Sequence, residues 1–423
     1  MWFAMGINLM LDDSQQSAVD GISKLDSKIY LLTGSGGSGK TFTLQYLLNK
    51  LWADEESGIT NDTTFLCSPT GKASKVIASS LPKGFLTNEP STVHRLLEYN
   101  PAIGWLRCAE YKLNASLVII DESSMCDSML LSRVIAAIPD NCHLILVGDV
   151  NQLPPVAPGQ PFADLINLGD QRLVHRLTTN HRQTQGSLIA TACLSVLDGK
   201  MPVCGEPGEH TLGGELEDDL FLHEEEDKED IPEKVMGLCE QWHRDGVDYA
   251  VLAPQKTGVC GVDAINSYLQ DKLNPADPGK NEIKVAWVTL REGDKVLATK
   301  NNYKLNVFNG YTGIVTSIFG DTVVVDFDGQ VVEYEEREDI KQLTLGYCMT
   351  IHKSQGSTID YGVFICHSSH YYMQSRGLLY TAISRFRKEL HVVGDKRAIK
   401  RGLSNVLSDS RNTYIKLQLQ SEK

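Results

Sequence analysis

Gly34-Ser35-Gly36-Gly37-Ser38-Gly39-Lys40-Thr41 follows the apolar run Ile29-Tyr30-Leu31-Leu32 and precedes Phe42 to Trp52, where apolar residues recur at helical spacing. Buried strand, glycine-rich turn and a helix opening on Lys-Thr make the phosphate-loop pattern G-x-x-x-x-G-K-[ST]. The glycines let the backbone curl so that successive N–H groups face a phosphate. The helix that follows adds the partial positive charge of its N-terminus. Lys40 reaches the β- and γ-phosphates, and the Thr41 hydroxyl suits Mg²⁺. The stretch predicts a nucleoside triphosphate site, with ATP and Mg²⁺ as its occupants.

Working outward, apolar strands alternate with helices. Thr63 to Cys67 reads as a strand ending at Ser68-Pro69-Thr70-Gly71-Lys72, followed by a helix to Ser80. Leu117-Val118-Ile119-Ile120 ends in Asp121-Glu122, and Leu144 to Val147 ends in Gly148-Asp149. Continuous apolar strands between helices predict an α/β fold with a parallel sheet covered on both faces, whose ligands gather at the strand C-termini. A second α/β pattern starts near Tyr249 to Ala253, with a helix to Leu273. It is interrupted by period-two alternation between Lys295 and Tyr334, with turns at Gly320-Asp321 and Asp328-Gly329, which predicts a small antiparallel barrel. It resumes with Leu345 to Ile351, Val363 to Cys366, a helix over Ser375–Arg387 and a strand Leu390 to Val393.

The 423 residues carry a net charge of −14, which argues against a uniform polyanion-binding surface. Thirteen acidic residues and one lysine between Glu206 and Glu233 hold −12 of it, so the remainder is near neutral and has room for a basic groove. The acidic block reads as a solvated surface. Ten scattered cysteines without a C-x-x-C pair predict neither a zinc site nor a disulfide framework, hence a reducing cytoplasm. No run has the roughly 20 apolar residues of a membrane span, and Met1 to Leu11 lacks the basic start of a signal peptide.

Asp121 at a strand end suits the Mg²⁺ shell, and Glu122 beside it can orient and deprotonate a water, which favours hydrolysis over phosphoryl transfer. Gln152, after Gly148-Asp149, stands where an amide can sense a γ-phosphate, or in an ordinary Pro-stopped loop. Arg182 and Arg385 are either arginine fingers or surface ion pairs. Thr350-Ile351-His352-Lys353 offers polar groups for phosphate contacts, and Thr92-Val93-His94-Arg95 offers a similar set. Tyr99, Trp105 and Tyr111 either stack on bases or pin a hairpin.

In order, these runs resemble a superfamily 1 DNA helicase of the RecD/Dda-like branch, over roughly Leu11 to Arg397. Leu11–Val19 resembles the adenine-reading glutamine motif, through Gln15; Gly34–Thr41 is similar to motif I and Pro69–Ala73 to motif Ia. Thr92–Leu97, Ile119–Met125 and Leu146–Pro155 resemble motifs Ib, II and III. Leu177–Gln183 is similar to motif IV, with Arg182, Met349–Gly356 to motif V, and Leu378–Arg387 to motif VI, with Arg385 as the finger. Asn301-Asn302-Tyr303 and Val307-Phe308-Asn309-Gly310 look like the approach to that branch's SH3-like insertion.

The resemblance implies two RecA-like lobes that clamp ATP and step 5′ to 3′ along single-stranded DNA. It implies lobe 1A over 1–183, with a pin-like insertion at 98–113, and a connector over 184–247 holding the acidic segment 206–233. Lobe 2A would comprise 248–290 and 345–423, with the SH3-like insertion 2B at 291–344. It adds Gly356 to the ATP contacts, and it assigns Pro69, Thr70, Lys72, Thr92, His94, Thr350, His352 and Lys353 to DNA. The partners implied are single-stranded DNA, duplex DNA with a 5′ tail, and single-strand-binding or replication and recombination proteins. No membrane is implied, and the expected state is a monomer. A protein-binding regulator and an RNA-directed motor are the alternatives.

Overall fold

The structure, a computed structural model, describes residues 10–170, 172–181, 186–205 and 219–406. They form two compact units, one within 10–181 and the other within 186–406.

The first unit is a six-stranded parallel sheet in the order β3-β2-β6-β7-β1-β8. Its strands are β1 (Ile29–Gly34), β2 (Thr64–Ser68), β3 (Ser91–Thr92), β6 (Leu117–Ile120), β7 (His143–Gly148) and β8 (Val174–Leu177). The connecting helices are α1 (Asp13–Ile22), α2 (Lys40–Ala53), α3 (Gly71–Ser80), α4 (Val93–Leu96), α5 (Ser128–Ala137) and α6 (Pro161–Asn167). A short hairpin, β4 (Tyr99–Asn100) and β5 (Gly104–Trp105), follows α4. Strand residues bury alternately on two faces. Val118, Ile120, Leu144 and Leu146 pack with α5 and α6, whereas Leu117, Ile119, Ile145 and Val147 pack with α1 and α2. Both faces are therefore dry, and each such side chain contributes about 1.5–3 kcal/mol by burial.

The second unit holds a five-stranded parallel sheet, β18-β10-β19-β20-β9. Its members are β9 (Leu220–Glu224), β10 (Tyr249–Ala253), β18 (Cys348–Thr350), β19 (Ile359–Cys366) and β20 (Phe386–Gly394). It is covered by α7 (Leu188–Leu197), α8 (Ile231–Arg244), α9 (Val262–Leu273), α11 (Ile351–Ser354), α12 (Arg376–Ser384) and α13 (Lys396–Ser404). A hairpin, β11 (Glu282–Val285) with β12 (Val288–Arg291), leads into an antiparallel sheet. That sheet runs β16-β15-β14-β13-β17 through Gln330–Tyr334, Thr322–Phe327, Thr312–Phe319, Lys295–Ala298 and Leu343–Leu345, with α10 (Arg337–Ile340) before its last strand. Its Asp328-Gly329 turn has φ of +54° and +90°, the left-handed pair a tight hairpin needs. Asp294, fully buried, ties the insertion to the parallel sheet. It accepts hydrogen bonds from Tyr347 Oη (3.0 Å), Asn274 Nδ2 (2.7 Å) and the Arg291 amide (2.7 Å).

Three stretches differ from the sequence reading. Part of the acidic segment is core: β9 is the parallel neighbour of β20, and Asp219 is buried with its carboxylate accepting from Ser187 Oγ and the Ile189 amide. The stretch expected to be a connector thus supplies α7, β9 and α8 to the second unit, while 206–218 lie outside the described residues. Leu345–Ile351 is not one strand. Leu345 pairs with Val296 in the small sheet, Cys348–Thr350 joins the parallel sheet, and Gly346 turns between them where a Cβ would strike the Val296 carbonyl carbon at 2.7 Å. The helix expected over Ser375–Arg387 stops at Ser384, because Phe386 pairs with Ile359 and starts β20 four residues early.

Candidate functional site

The glycine-rich turn leaves β1 and becomes α2 through Gly37 (φ +89°) and Gly39 (φ +78°), both left-handed. A Cβ on Gly39 would lie 2.5 Å from Gln15 Nε2. Lys40 Nζ donates to the carbonyls of Gly34 (2.7 Å) and Ser35 (3.1 Å), which holds the ammonium over the turn. Gln15, 1% exposed, closes a capping box with Asp12 and donates from Nε2 to the Ser38 carbonyl (3.2 Å). Two residues missed in the sequence reading complete this shell. Asn180 Nδ2 donates to the Gly36 carbonyl at 3.2 Å. The His181 amide donates to Gly37 at 3.2 Å, and its Nε2 lies 3.0 Å from Asp12. Their only signal was their place next to Arg182, which itself lies outside the described residues.

Asp121 and Glu122 stand at the C-terminal end of β6. Glu122 has φ +52°, a left-handed conformation that is strained for a side chain with a Cβ, and its amide donates to Asp121 Oδ1 (2.8 Å). Burial, then the charge of Glu122, pushes the Asp121 carboxyl up to about 6, against the pull of Lys40. Among the described residues no group of three or more His, Cys, Asp or Glu side chains could hold a metal ion. The oxygen donors Thr41 and Asp121 fit Mg²⁺ in the way that ion is bound beside phosphates, by one or two carboxylates while the substrate supplies the rest. Gln152 is buried, with Oε1 lacking a partner among the described residues, and lines a cavity of about 200 Å³ with Ser124, Phe162 and Asn167.

The two polar sets read as phosphate contacts occupy the same place in both sheets. β3 and β18 are edge strands. Each ends in a threonine that caps a four-residue helix, Thr92 accepting from the Arg95 amide (3.1 Å) and Thr350 from the Lys353 amide (3.3 Å). Thr70, between Pro69 and Lys72, caps α3 in the same way. A capping hydroxyl accepts from the backbone and keeps its own O–H to donate outward. Burial, then the charge of Lys256, lowers Lys353, against the pull of Asp263. Lys256, on the loop after β10, carried no motif signal. His94, lowered by burial, packs 5.1 Å from Trp105, and Tyr99 lies 4.5 Å from Trp105. These rings pin the hairpin, as does Arg107 over Tyr111 at 4.3 Å.

Gly356 and Arg385 meet at the amino-terminal ends of β19 and β20, in the middle of the second sheet. Arg385 caps α12, is 4% exposed, and donates from Nη1 to the Ser357 carbonyl (3.3 Å) and from Nη2 to Ser384 Oγ (3.3 Å). Gly356, at φ +73°, makes the turn that presents that carbonyl. His352 and Lys353 lie instead beyond the carboxyl end of β18.

Residues 15–158 match the family model of an AAA domain, 265–327 that of the ATP-dependent RecD-like DNA helicase SH3 domain, and 345–393 that of the UvrD-like helicase C-terminal domain. The chain is 33% identical over 392 residues to the ATP-dependent RecD2 DNA helicase of Deinococcus radiodurans, covering 92% of this chain but half of that protein. It is 26% identical over 444 residues to the RecBCD enzyme subunit RecD of Mycobacterium tuberculosis, covering 97% of this chain and 73% of the relative. Its fold is similar to Bacteroides Pif1 bound to single-stranded DNA (TM-score 0.56, 22% identity, 98% and 97% of the two chains). It is also similar to Candida albicans Pif1 (TM-score 0.54, 18% identity, 98% and 100%).

Proposed function

We propose that this chain, a member of the RecD-like branch of the superfamily 1 helicases, hydrolyses ATP to move 5′ to 3′ along single-stranded DNA and to open duplex DNA ahead of it. The observation that carries the reading is the duplicated turn: Thr-Val-His-Arg and Thr-Ile-His-Lys, each threonine-capped, each beyond an edge strand of its own parallel sheet. Two like sets of phosphate-directed groups, in a chain with one phosphate loop, suit a strand held at two places. Pro69, Thr70, Lys72, Thr92, His94, Thr350, His352 and Lys353 contact that strand, with His94 acting through the hairpin it packs against.

In this reading Gly34 to Thr41 cradle the triphosphate, Gln15 sets the loop's shape and reads adenine, and Gln152 and Gly356 complete the nucleotide contacts. Thr41 and Asp121 would hold a magnesium ion, which neutralises phosphate charge when bound. Glu122 orients the attacking water and takes its proton, and its strained backbone fixes the carboxylate's direction. Arg182 and Arg385 stabilise charge on the transferred phosphoryl group. The hairpin at 98–113, stiffened by its own rings and with Ile103 76% exposed, is the wedge between strands.

The test is ATP turnover with and without oligonucleotides. Single-stranded DNA should raise it at least tenfold, and DNA should compete better than RNA of the same sequence. Turnover indifferent to nucleic acid would instead support a nucleotide-dependent regulator of a protein partner, and stronger competition by RNA would support an RNA-directed motor.

A further inference from the structure

The carboxyl edge of the second parallel sheet carries exposed groups beyond those at β18. β19 ends at Cys366, and the chain passes through the tight turn Ser368–His370 into Tyr371 and Tyr372. Asp395, at the end of β20, anchors that turn by accepting from the Ser368 amide (2.7 Å) and hydroxyl (2.6 Å). Tyr372 is 91% exposed and Tyr371 49% exposed. Their rings meet edge to face at 5.6 Å, and the Arg401 guanidinium of α13 lies 4.5 Å over Tyr371. Lys400 is exposed beside it, whereas Lys396 and Arg397 are engaged by Glu224 and Glu226. Two large rings in water would ordinarily cost rotamer freedom when bound. Here the cation fixes one ring and that ring flanks the other, so little is lost.

Neighbouring strands stand about 4.8 Å apart, so β19 ends about 10 Å from Thr350 along the same edge. We propose that Tyr371 and Tyr372, backed by Arg401 and Lys400, form a stacking platform for unpaired bases, continuing the strand path that starts at Thr350, His352 and Lys353. The inference rests on the DNA-binding reading above. Edge-to-face rings with a cation behind them suit stacking that is indifferent to sequence.

The test uses the full chain and labelled oligothymidines of roughly 4 to 16 nucleotides, with an abasic oligomer of the longest length. Y371A/Y372A should bind the longest oligothymidine about tenfold more weakly and the shortest equally well. Its salt dependence should stay unchanged, because stacking releases no counterions. Y371F/Y372F should bind like the unsubstituted chain, and the abasic oligomer should not distinguish the variants. If the unsubstituted chain binds every oligothymidine and the alanine pair binds them equally well, the platform is wrong and the rings face a protein, while the DNA reading stands. If the unsubstituted chain binds none of them, both readings fall together.

Discussion

Asp121 is pulled in opposite directions by burial on one side and by the Glu122 amide and the Lys40 charge on the other. Burial and Glu122 raise its carboxyl from the ordinary 3.8 to about 6. A raised acid favours the folded state below pH 4, where the proton is bound in both states, and that contribution is lost as pH rises through 6. Asp121→Asn should therefore stabilise the nucleotide-free, metal-free chain by about 2 kcal/mol more at pH 8 than at pH 4, read by thermal unfolding. Equal effects at both pH values would remove the assigned strain. Lys40→Ala should abolish turnover with little change in the unfolding midpoint, since among the described residues the hydrogen bonds of Lys40 go to two loop carbonyls. At this scale the glycine-rich loop was legible because its chemistry is contiguous in sequence. Asn180 and His181 were not, because their partners lie more than 140 residues away and the contacts to Gly36 and Gly37 are to backbone carbonyls, which leave no residue pattern.

Strand-end turns are the elements on which the DNA reading stands. Thr92→Ala and Thr350→Ala should each cost about 1 kcal/mol by loss of a cap and weaken binding of single-stranded DNA. Serine at either place keeps the cap and should keep the binding; serine variants as weak as alanine would place the effect elsewhere. Lys353→Ala should weaken binding equally for all sequences and flatten its salt dependence, measured as the slope of affinity against salt. Elements with one dominant signal were legible: apolar runs gave the parallel strands, and period two with Asp-Gly gave the small sheet. β9 was hidden because Leu220-Phe221-Leu222 is short and set among acids, so local charge outweighed it. The end of α12 was misplaced because Phe386 keeps helical spacing from Ile383, and only pairing with Ile359 decides for strand.

At the scale of the molecule, two α/β patterns interrupted by a β insertion were readable because each unit repeats the same logic. Which unit owned residues 186–247 was not, since membership rests on β9 pairing with a strand 170 positions away. Among the described residues no helix is long and apolar enough to cross a membrane, and all ten cysteines are free thiols. The second unit holds two histidines, one half-buried and one buried, that resist protonation. Burial, then His391, lowers His223 to about 4, and burial, then His367, lowers His370 to about 4. Depressed histidines bind fewer protons when folded, so stability present above pH 6.5 is lost as pH falls toward 4. Unfolding free energy should drop by about 2 kcal/mol through His370 between pH 7 and pH 5, and by less through half-buried His223, where water screens the effect; His370→Phe should remove its share of that slope.

Coupling of hydrolysis to directional movement is tested most directly by strand displacement on two duplexes that differ only in carrying a 5′ or a 3′ single-stranded tail. The 5′-tailed duplex should be opened with ATP, remain closed without it, and remain closed with Glu122→Gln. Opening of the 3′-tailed duplex alone, or opening that does not depend on ATP, would contradict the account.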